Sequence, residues 1–188
     1  MLIFLNGKLV PEDQAVVSVY DRGFLYGDGL FETMPVVGGK PFRWEQHLAR
    51  LRSGAEYLKI KLPYSPEELR DMADQLLAKN QLSDALLRLT ISRGIGARGY
   101  SPRNATRPTC VMTLQPGCEA QPHDPAGGWK LVTAKEIRLS AADPLARFKT
   151  ANKLWQVLAR AEADAAGADE ALLLNTDGHV AEATSANL

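Results

Sequence analysis

The residue of this 188-residue chain that is best suited to covalent chemistry is Lys149. A bulky apolar residue, Phe148, precedes it, and small residues follow it. Apolar residues with helical spacing then begin at Leu154, so we expect Lys149 to lie at the mouth of a helix. The positive end of a helix dipole and partial burial both lower the pKa of a lysine. Such a lysine can supply the neutral amine that Schiff-base chemistry requires, although a solvated loop lysine is the commoner role.

A second segment is predicted to return a carboxylate towards the same region. Residues 169–175 read as a short apolar strand, and Asn-Thr-Asp-Gly at 175–178 is a turn signal before a second strand that carries Glu182. Small hydroxyl and amide residues follow, including Ser185 and Asn187. A lysine, an acid and a small polar lining are expected around pyridoxal phosphate. The lysine holds its aldehyde, and the acid keeps the pyridine nitrogen protonated.

Two arginine-containing segments have different local patterns. Arg50 lies in a helical pattern that runs from Trp44 to Leu58, and from the residues alone we interpret it as an arginine on the solvated face of that helix. The segment 92–102 contains two arginines, three glycines and a tyrosine, so it is predicted to be a flexible cationic loop suited to a substrate carboxylate. A surface turn with solvated arginines is an equal alternative.

The composition is that of an ordinary globular protein, with 45% apolar and 23% charged residues. A formal net charge of zero favours neither a nucleic-acid nor an anionic-membrane partner. Cys110 and Cys118 fit no metal-ligand spacing, so we interpret them as reduced thiols and predict no metal site. The first residues lack the pattern of a signal peptide, and no apolar run approaches the ~20 residues that span a bilayer. We therefore expect a cytoplasmic protein.

Local signals predict a two-domain protein of the α+β or α/β class. Hairpin turns are expected at Asn6-Gly7 and Gly38-Gly39, and a capping box at 65–68 is expected to begin a helix that ends near Lys79. Strands are predicted at 86–92, 109–115 and 129–137. The proline- and glycine-rich segment 117–128 is typical of a linker. The predicted domains are an N-terminal domain at 1–116, a linker at 117–128, and the start of a C-terminal domain at 129–188.

Several motifs, in one order along the chain, resemble the class IV (fold type IV) pyridoxal-phosphate enzymes. They are Asp-Arg-Gly at 21–23, Gly-Asp-Gly-x-Phe-Glu at 27–32, His-x-x-Arg-Leu at 47–51, Phe-Lys-Thr-Ala-Asn-Lys-Leu at 148–154, the 169–178 hairpin and Val-Ala-Glu-Ala-Thr-Ser-Ala-Asn-Leu at 180–188. The family includes branched-chain and D-amino-acid aminotransferases and aminodeoxychorismate lyases. The resemblance implies a D-amino-acid aminotransferase-like fold and a homodimer. Since the family continues beyond the last motif, we expect the second domain to be truncated.

The resemblance also assigns roles to individual residues. It implies that Lys149 is catalytic and holds pyridoxal phosphate together with Glu182 and the phosphate-binding Arg50, with Ser185 and Asn187 as further cofactor-binding residues. Phe31 would flank the substrate. In the loop 92–100, which is similar to a Ser-Arg-Gly-x-Gly-x-Arg-Gly-Tyr run of aminodeoxychorismate lyases, Arg98 is favoured over Arg93 for the substrate carboxylate. His47 is interpreted as a packing or hydrogen-bonding residue.

This loop favours one activity within the family. The implied reaction converts 4-amino-4-deoxychorismate to 4-aminobenzoate and pyruvate, a step of folate biosynthesis. A branched-chain or D-amino-acid aminotransferase remains the alternative, because the segment 27–33 is compatible with both. A catalytically silent dimerisation or binding module is a third possibility, of a different class.

Overall fold

A computed structural model describes residues 1–117 and 128–186 of the chain. Contacts divide it into two compact units, Met1–Cys118 with Phe148–Asn152, and Glu119–Arg147 with Lys153–Leu188. The predicted linker at 117–128 lies almost wholly outside the described residues, so the predicted domain boundaries stay a prediction. Within residues 1–117 and 128–186, no helix is both long and apolar enough to cross a membrane.

The first unit contains a six-stranded sheet in the order β2-β1-β6-β5-β3-β4, in which all neighbours are antiparallel. The strands are β1 (Leu2–Leu5), β2 (Lys8–Pro11), β3 (Gly29–Val37), β4 (Lys40–Pro41), β5 (Ala85–Ser92) and β6 (Thr109–Pro116). The helices are α1 (Arg22–Tyr26), α2 (Trp44–Leu58) and α3 (Pro66–Asn80). Both predicted hairpins are confirmed. Asn6 (φ 49°) and Gly7 (φ 90°) both take the positive φ that a tight two-residue turn requires.

Helix α3 begins as its sequence predicts. The Ser65 hydroxyl accepts a hydrogen bond from the Glu68 N–H, and the Glu68 carboxylate accepts one from the Ser65 N–H, which completes a capping box. Pro66 occupies the first turn, where the N–H that proline lacks would have no helical partner. The predicted strands at 86–92 and 109–115 are likewise confirmed as β5 and β6.

Alternation along β3 and β5 gives the sheet two different faces. One face packs against the helices, and its side chains are almost completely buried: Leu30, Glu32, Met34, Val36, Leu87, Leu89 and Ile91. The residues between them, including Phe31 and Arg88, lie on the opposite face. We call this opposite face of β3 and β5 the open face.

A short segment from much later in the chain completes this sheet. The Phe31 N–H donates to the Lys149 carbonyl, and the Ala151 N–H donates to the Gly29 carbonyl, both at 2.9 Å. Thr150 forms an antiparallel bridge with Leu30. The expectation that Lys149 lies at a helix mouth is therefore wrong. The next helix begins five residues later, at Leu154, and Lys153 is its N-cap.

The second unit is a three-stranded sheet with one helix. It consists of β7 (Leu131–Leu139), α4 (Leu154–Ala165), β8 (Glu170–Asn175) and β9 (Val180–Ala183), in the sheet order β7-β8-β9. β7 and β8 are parallel and are joined through α4, while β8 and β9 form the antiparallel hairpin that the sequence predicts. A small core of alanine, isoleucine and leucine side chains lies between the helix and the sheet.

Helix α4 is confirmed, but the face that packs on the sheet is not the large apolar stripe. Ala159 and Ala163 are fully buried against the sheet, whereas Leu154, Val157 and Leu158 are 68%, 60% and 50% exposed. Alanine allows the helix and the sheet to approach closely. The periodicity thus predicts a helix correctly and leaves its buried side undetermined.

Candidate active site

Lys149 lies beside Phe31 in the first unit. Its Nζ is 5.0 Å from the centre of the Phe31 ring, and Lys149 itself is half-buried. Residues 149–151, which we call the lysine segment, pair with β3 beside Phe31, and the Phe31 side chain is 8% exposed. The backbone pairing of Phe31 with Lys149 fixes where the amine leaves the chain. The open face therefore carries a half-buried lysine whose backbone is held by the sheet.

Arg88 is a residue on the same face that the sequence analysis did not single out. Its guanidinium carbon lies 3.7 Å from the centre of the Phe31 ring, a cation–π contact. Partial burial lowers the pKa of Arg88. In the described part of the chain, no carboxylate pairs with it. The signal was available in the sequence, since an arginine between Leu87 and Leu89 must point away from the buried face of its strand.

Arg50 is held by a buried carboxylate. Its Nε and Nη2 donate to the two oxygens of Glu32 at 2.7 and 2.6 Å, and Glu32 is fully buried. The hydrogen bonds from this guanidinium to Glu32 raise the pKa of Arg50. The Nδ1 of His47 also lies 2.7 Å from Glu32, as expected of a hydrogen-bonding histidine. Arg50 can therefore offer a phosphate only its Nη1 side, and its phosphate-binding role stays a prediction.

Arg93 serves the fold of the first unit. It is 8% exposed, and it donates to both oxygens of Asp28 and to the carbonyls of Leu58 and Lys59 at the end of α2. These bonds occupy most of its five N–H groups. The contact of Arg93 with substrate stays a prediction. Four of its five N–H groups already donate to partners within the protein.

Arg98, by contrast, is exposed. It projects from the loop 96–101, which we call the arginine loop, and no described residue accepts a hydrogen bond from its side chain. The preference for Arg98 over Arg93 therefore agrees with the availability of the two guanidinium groups, although substrate binding itself stays a prediction.

In the second unit, Glu182 is half-buried on β9 and accepts a hydrogen bond from the Gln156 side-chain amide on α4. The other amide atom, Gln156 Oε1, is buried and has no partner among the described residues. Glu182 thus keeps one oxygen for another donor. Lys149 and Glu182 belong to different units, so the prediction that both contact one ring stays a prediction.

Glu170, which the sequence analysis did not assign a role, organises the residues after β9. It is fully buried and accepts hydrogen bonds from the N–H groups of Ala171, Thr184, Ser185 and Ala186 and from the hydroxyls of Thr184 and Ser185. Burial alone would raise the pKa of Glu170, but these hydrogen bonds lower it to about 2.

This arrangement bears on two predicted cofactor ligands. The Ser185 hydroxyl donates to Glu170 at 3.0 Å, so it has only lone pairs left for another partner. The cofactor-binding role of Ser185 stays a prediction. Asn187 lies outside the described residues, and its predicted role cannot be placed.

The described geometry defines a class of site: an amine on a sheet, against an aromatic ring, with a guanidinium on the same ring. The chain belongs to the class IV aminotransferase family, because the family model described as Amino-transferase class IV matches residues 29–188. Enzymes of this family depend on pyridoxal phosphate. The predicted resemblance and the mixed α/β fold are therefore confirmed.

Curated relatives within the family carry different activities in their names. The chain is 39% identical over 190 residues to a Methanocaldococcus jannaschii protein whose name assigns it provisionally to the branched-chain-amino-acid aminotransferases. It is 34% identical over 192 residues to the aminodeoxychorismate lyase of Bacillus subtilis. Both matches cover 100% of this chain, which spans 64% and 63% of the two relatives.

Solved structures show the same division. The 4-amino-4-deoxychorismate lyase of Pseudomonas aeruginosa matches with a TM-score of 0.82 and 36% identity, over 98% of this chain and 65% of that one. The T.th. branched-chain amino acid aminotransferase with pyridoxamine 5'-phosphate matches with a TM-score of 0.89 and 30% identity, over 97% of this chain and 62% of that one.

Proposed function

We propose that this protein is a pyridoxal-phosphate-dependent aminodeoxychorismate lyase, which releases pyruvate from 4-amino-4-deoxychorismate and leaves 4-aminobenzoate. The observation that carries the proposal is the shared ring of Phe31. Arg88 lies 3.7 Å and the Lys149 amine 5.0 Å from its centre. A substrate that carries an amine and carboxylates would find a cation and a reactive amine on one surface.

Three side chains have the chemistry that this cofactor requires. Lys149 would form the covalent link to the cofactor aldehyde, and the Nη1 side of Arg50 would donate to its phosphate. Glu182 would hold a proton on the pyridine nitrogen with the oxygen that Gln156 leaves available. When bound, the cofactor supplies an electron sink, which accepts the electron pair of a C–H bond when the proton of that bond is removed.

Lys149 would also transfer a proton, and three further residues would position the substrate. With the substrate bound, the Lys149 amine would act as a general base and remove the proton from the ring carbon that bears the substrate amine. The C–O bond to the enolpyruvyl group then breaks, that group takes up a proton and leaves as pyruvate, and the remaining ring is aromatic. Arg88 and Arg98 would bind substrate carboxylates, and Phe31 would supply an apolar wall.

Replacement of Lys149 tests this proposal directly. Lys149→Ala should lose the visible absorbance that the protein acquires with pyridoxal phosphate, and pyruvate release should fall by about 10²–10⁴-fold, the contribution of a general base. Lys153→Ala, which removes a neighbouring lysine, is the matched control and should keep both. If Lys149→Ala retains the band and its trapping by borohydride, the assignment fails. If wild-type protein forms no band at all, a catalytically silent module is favoured.

The alternative function is aminotransfer to a branched-chain or D-amino acid. It is favoured by the 39% identity to the Methanocaldococcus jannaschii protein and by the TM-score of 0.89 with the T.th. aminotransferase. There Lys149 would move a proton between the substrate α-carbon and the cofactor. Pyruvate release from aminodeoxychorismate, measured beside 2-oxoglutarate-dependent transamination, separates the two activities.

We also propose that the protein is a cytoplasmic homodimer. The segment before and within α1 exposes several large apolar side chains: Val16 (76%), Val19 (62%), Tyr20 (67%) and Phe24 (74%). Large apolar side chains left exposed within one short segment are the kind of surface that interaction sites use. Light scattering after size-exclusion chromatography should report twice the chain mass, and Phe24→Glu should shift the protein towards monomer.

A further inference from the structure

The arginine loop is folded around one buried guanidinium, that of Arg22. Arg22 is 4% exposed. Its Nη1 donates to the carbonyls of Gly99 at 2.9 Å and Ser101 at 3.2 Å, and its Nη2 donates to the carbonyl of Tyr100 at 3.0 Å. Three successive carbonyls of one loop therefore point at a single side chain from a distant part of the sequence.

This geometry requires a cation with several donors. Carbonyl dipoles that converge on one point repel each other unless a positive charge lies among them, and each would be costly to leave unpaired away from water. The planar guanidinium presents its N–H groups in a fixed fork, so one side chain can satisfy all three carbonyls. The ammonium group of a lysine is a compact point charge and cannot reproduce this arrangement.

Arg22 is itself held rigidly. Its Nε donates to Asp28 at 2.8 Å, and the same carboxylate is bound by Arg93, which is attached to the end of α2. Burial would raise the pKa of Asp28, but hydrogen bonds from Arg93 and Arg22 lower it, so Asp28 stays charged. The backbone N–H of Arg22 also donates to the Gly94 carbonyl, just before the loop.

Aromatic rings and glycines of the surrounding segments also pack around the Arg22 side chain. Its guanidinium lies 5.0 Å from the centre of the Tyr26 ring, and that ring packs against Tyr100 at 5.4 Å. A Cβ atom at Gly96 would come within 2.9 Å of the Arg22 side chain, so glycine at this position lets the loop approach. Gly99 has a φ of +98°, a conformation that favours glycine.

From this network we infer that Arg22 is a positioning residue, which fixes the backbone of the arginine loop and thereby holds Arg98 where it meets the substrate carboxylate. The inference rests on the proposed function for the part that concerns substrate. The Nε, Nη1 and Nη2 groups of Arg22 all donate to Asp28 or the loop, so its side chain is engaged within the protein. Arg98 does the binding, and Arg22 determines where Arg98 can be.

The first test measures the loop without any substrate. Hydrogen exchange of the amides at 97–101 and trypsin cleavage after Arg98 should both be faster in Arg22→Lys by about tenfold or more, because lysine cannot bind all three loop carbonyls and the loop loses its attachment. Arg103→Lys, an exposed arginine near the same loop, should change neither rate. Gly96→Ala, which presses on Arg22 without removing it, should raise both rates by a smaller factor and serves if Arg22→Lys fails to fold. Unchanged exchange in both variants would overturn the inference.

The second test connects the loop to substrate. Arg22→Lys should raise the KM for aminodeoxychorismate by about tenfold with a smaller change in kcat, and it should raise KM no further in an Arg98→Ala background. An equal increase in both backgrounds would overturn the positioning role. Absence of both lyase and aminotransferase activity from the wild-type protein would contradict the proposed function alone, since the exchange experiment does not depend on it.

Discussion

The Ser185 N–H and hydroxyl both donate to Glu170, at 3.1 and 3.0 Å, from the other end of a β-hairpin. Four further bonds from Ala171, Thr184 and Ala186 complete the shell of this buried carboxylate. Such a charge is stable away from water only when donors surround it. The turn at 184–186 therefore depends on Glu170 for its conformation, and the position of Ser185 follows from it.

Replacement of Glu170 by glutamine should destabilise the protein. Glutamine has one acceptor oxygen and an NH2 group that would face the donors of Thr184 and Ser185. The free energy of unfolding, measured with urea, should fall by about 3 kcal/mol, since a buried hydrogen-bonded charge is lost. Asp177→Asn, an exposed acid in the adjacent turn, should change it by less than about 0.5 kcal/mol. Equal effects of the two substitutions would contradict the role given to Glu170.

The same carboxylate should make stability depend on acid. Its pKa is lowered from 4.5 to about 2 in the folded protein, so its contribution is fully present above about pH 4.5 and is lost as the pH falls towards 2. This lowering corresponds to about 3 kcal/mol. Unfolding experiments between pH 6 and 2 should show that Glu170→Gln lacks this part of the decline. Parallel pH curves for the two proteins would be the contrary result.

Loss of the Arg88 charge should weaken the binding of carboxylate substrates. Arg88→Met keeps much of the side-chain volume beside Phe31 but removes the guanidinium, so KM should rise about tenfold or more. The affinity for pyridoxal phosphate should change little, since Arg88 is not placed at the phosphate. Arg52→Met, on the exposed side of α2, provides the control. A KM that stays the same in Arg88→Met would remove Arg88 from the site.

Replacement of Glu32 should act on the cofactor through Arg50. Glu32→Gln removes the negative charge that fixes the Nε and Nη2 groups of Arg50, so Arg50 loses its orientation. The dissociation constant for pyridoxal phosphate, obtained from absorbance titration, should increase about tenfold. Glu45→Gln, in the first turn of α2, the helix that carries Arg50, should leave this dissociation constant unchanged. A normal constant in Glu32→Gln would mean that Arg50 does not hold the phosphate.

Local chemistry predicted most of the fold. The capping box at Ser65, the Asn6-Gly7 hairpin and the strand pattern of β5 depend on near neighbours in the sequence, and each is confirmed. Tertiary packing decided what the patterns left open. Alanines rather than leucines of α4 face the sheet, and Lys149 extends a sheet instead of opening a helix.

The roles of the charged residues were harder to predict, because they depend on partners far away in sequence. Arg93 and Arg98 are five positions apart in one glycine-rich segment, yet one is buried on Asp28 and the other is exposed. No local pattern in the sequence indicates that Glu170 is buried. Its burial depends on the turn at 184–186, whose N–H groups donate to its carboxylate. Arg88 could have been found from strand alternation alone.

The lysine segment completes the first sheet late in the synthesis of the chain on the ribosome. Every other strand of that sheet ends by Pro116, whereas its last pairing residues are 149–151. Ribosomes deliver about 5–20 residues per second, so a nascent chain can form the sheet seconds before Lys149 emerges. The amine is therefore added to a surface that already carries Arg88 and Phe31. A translational pause between residues 116 and 149 would leave that surface in the cell without the Lys149 amine.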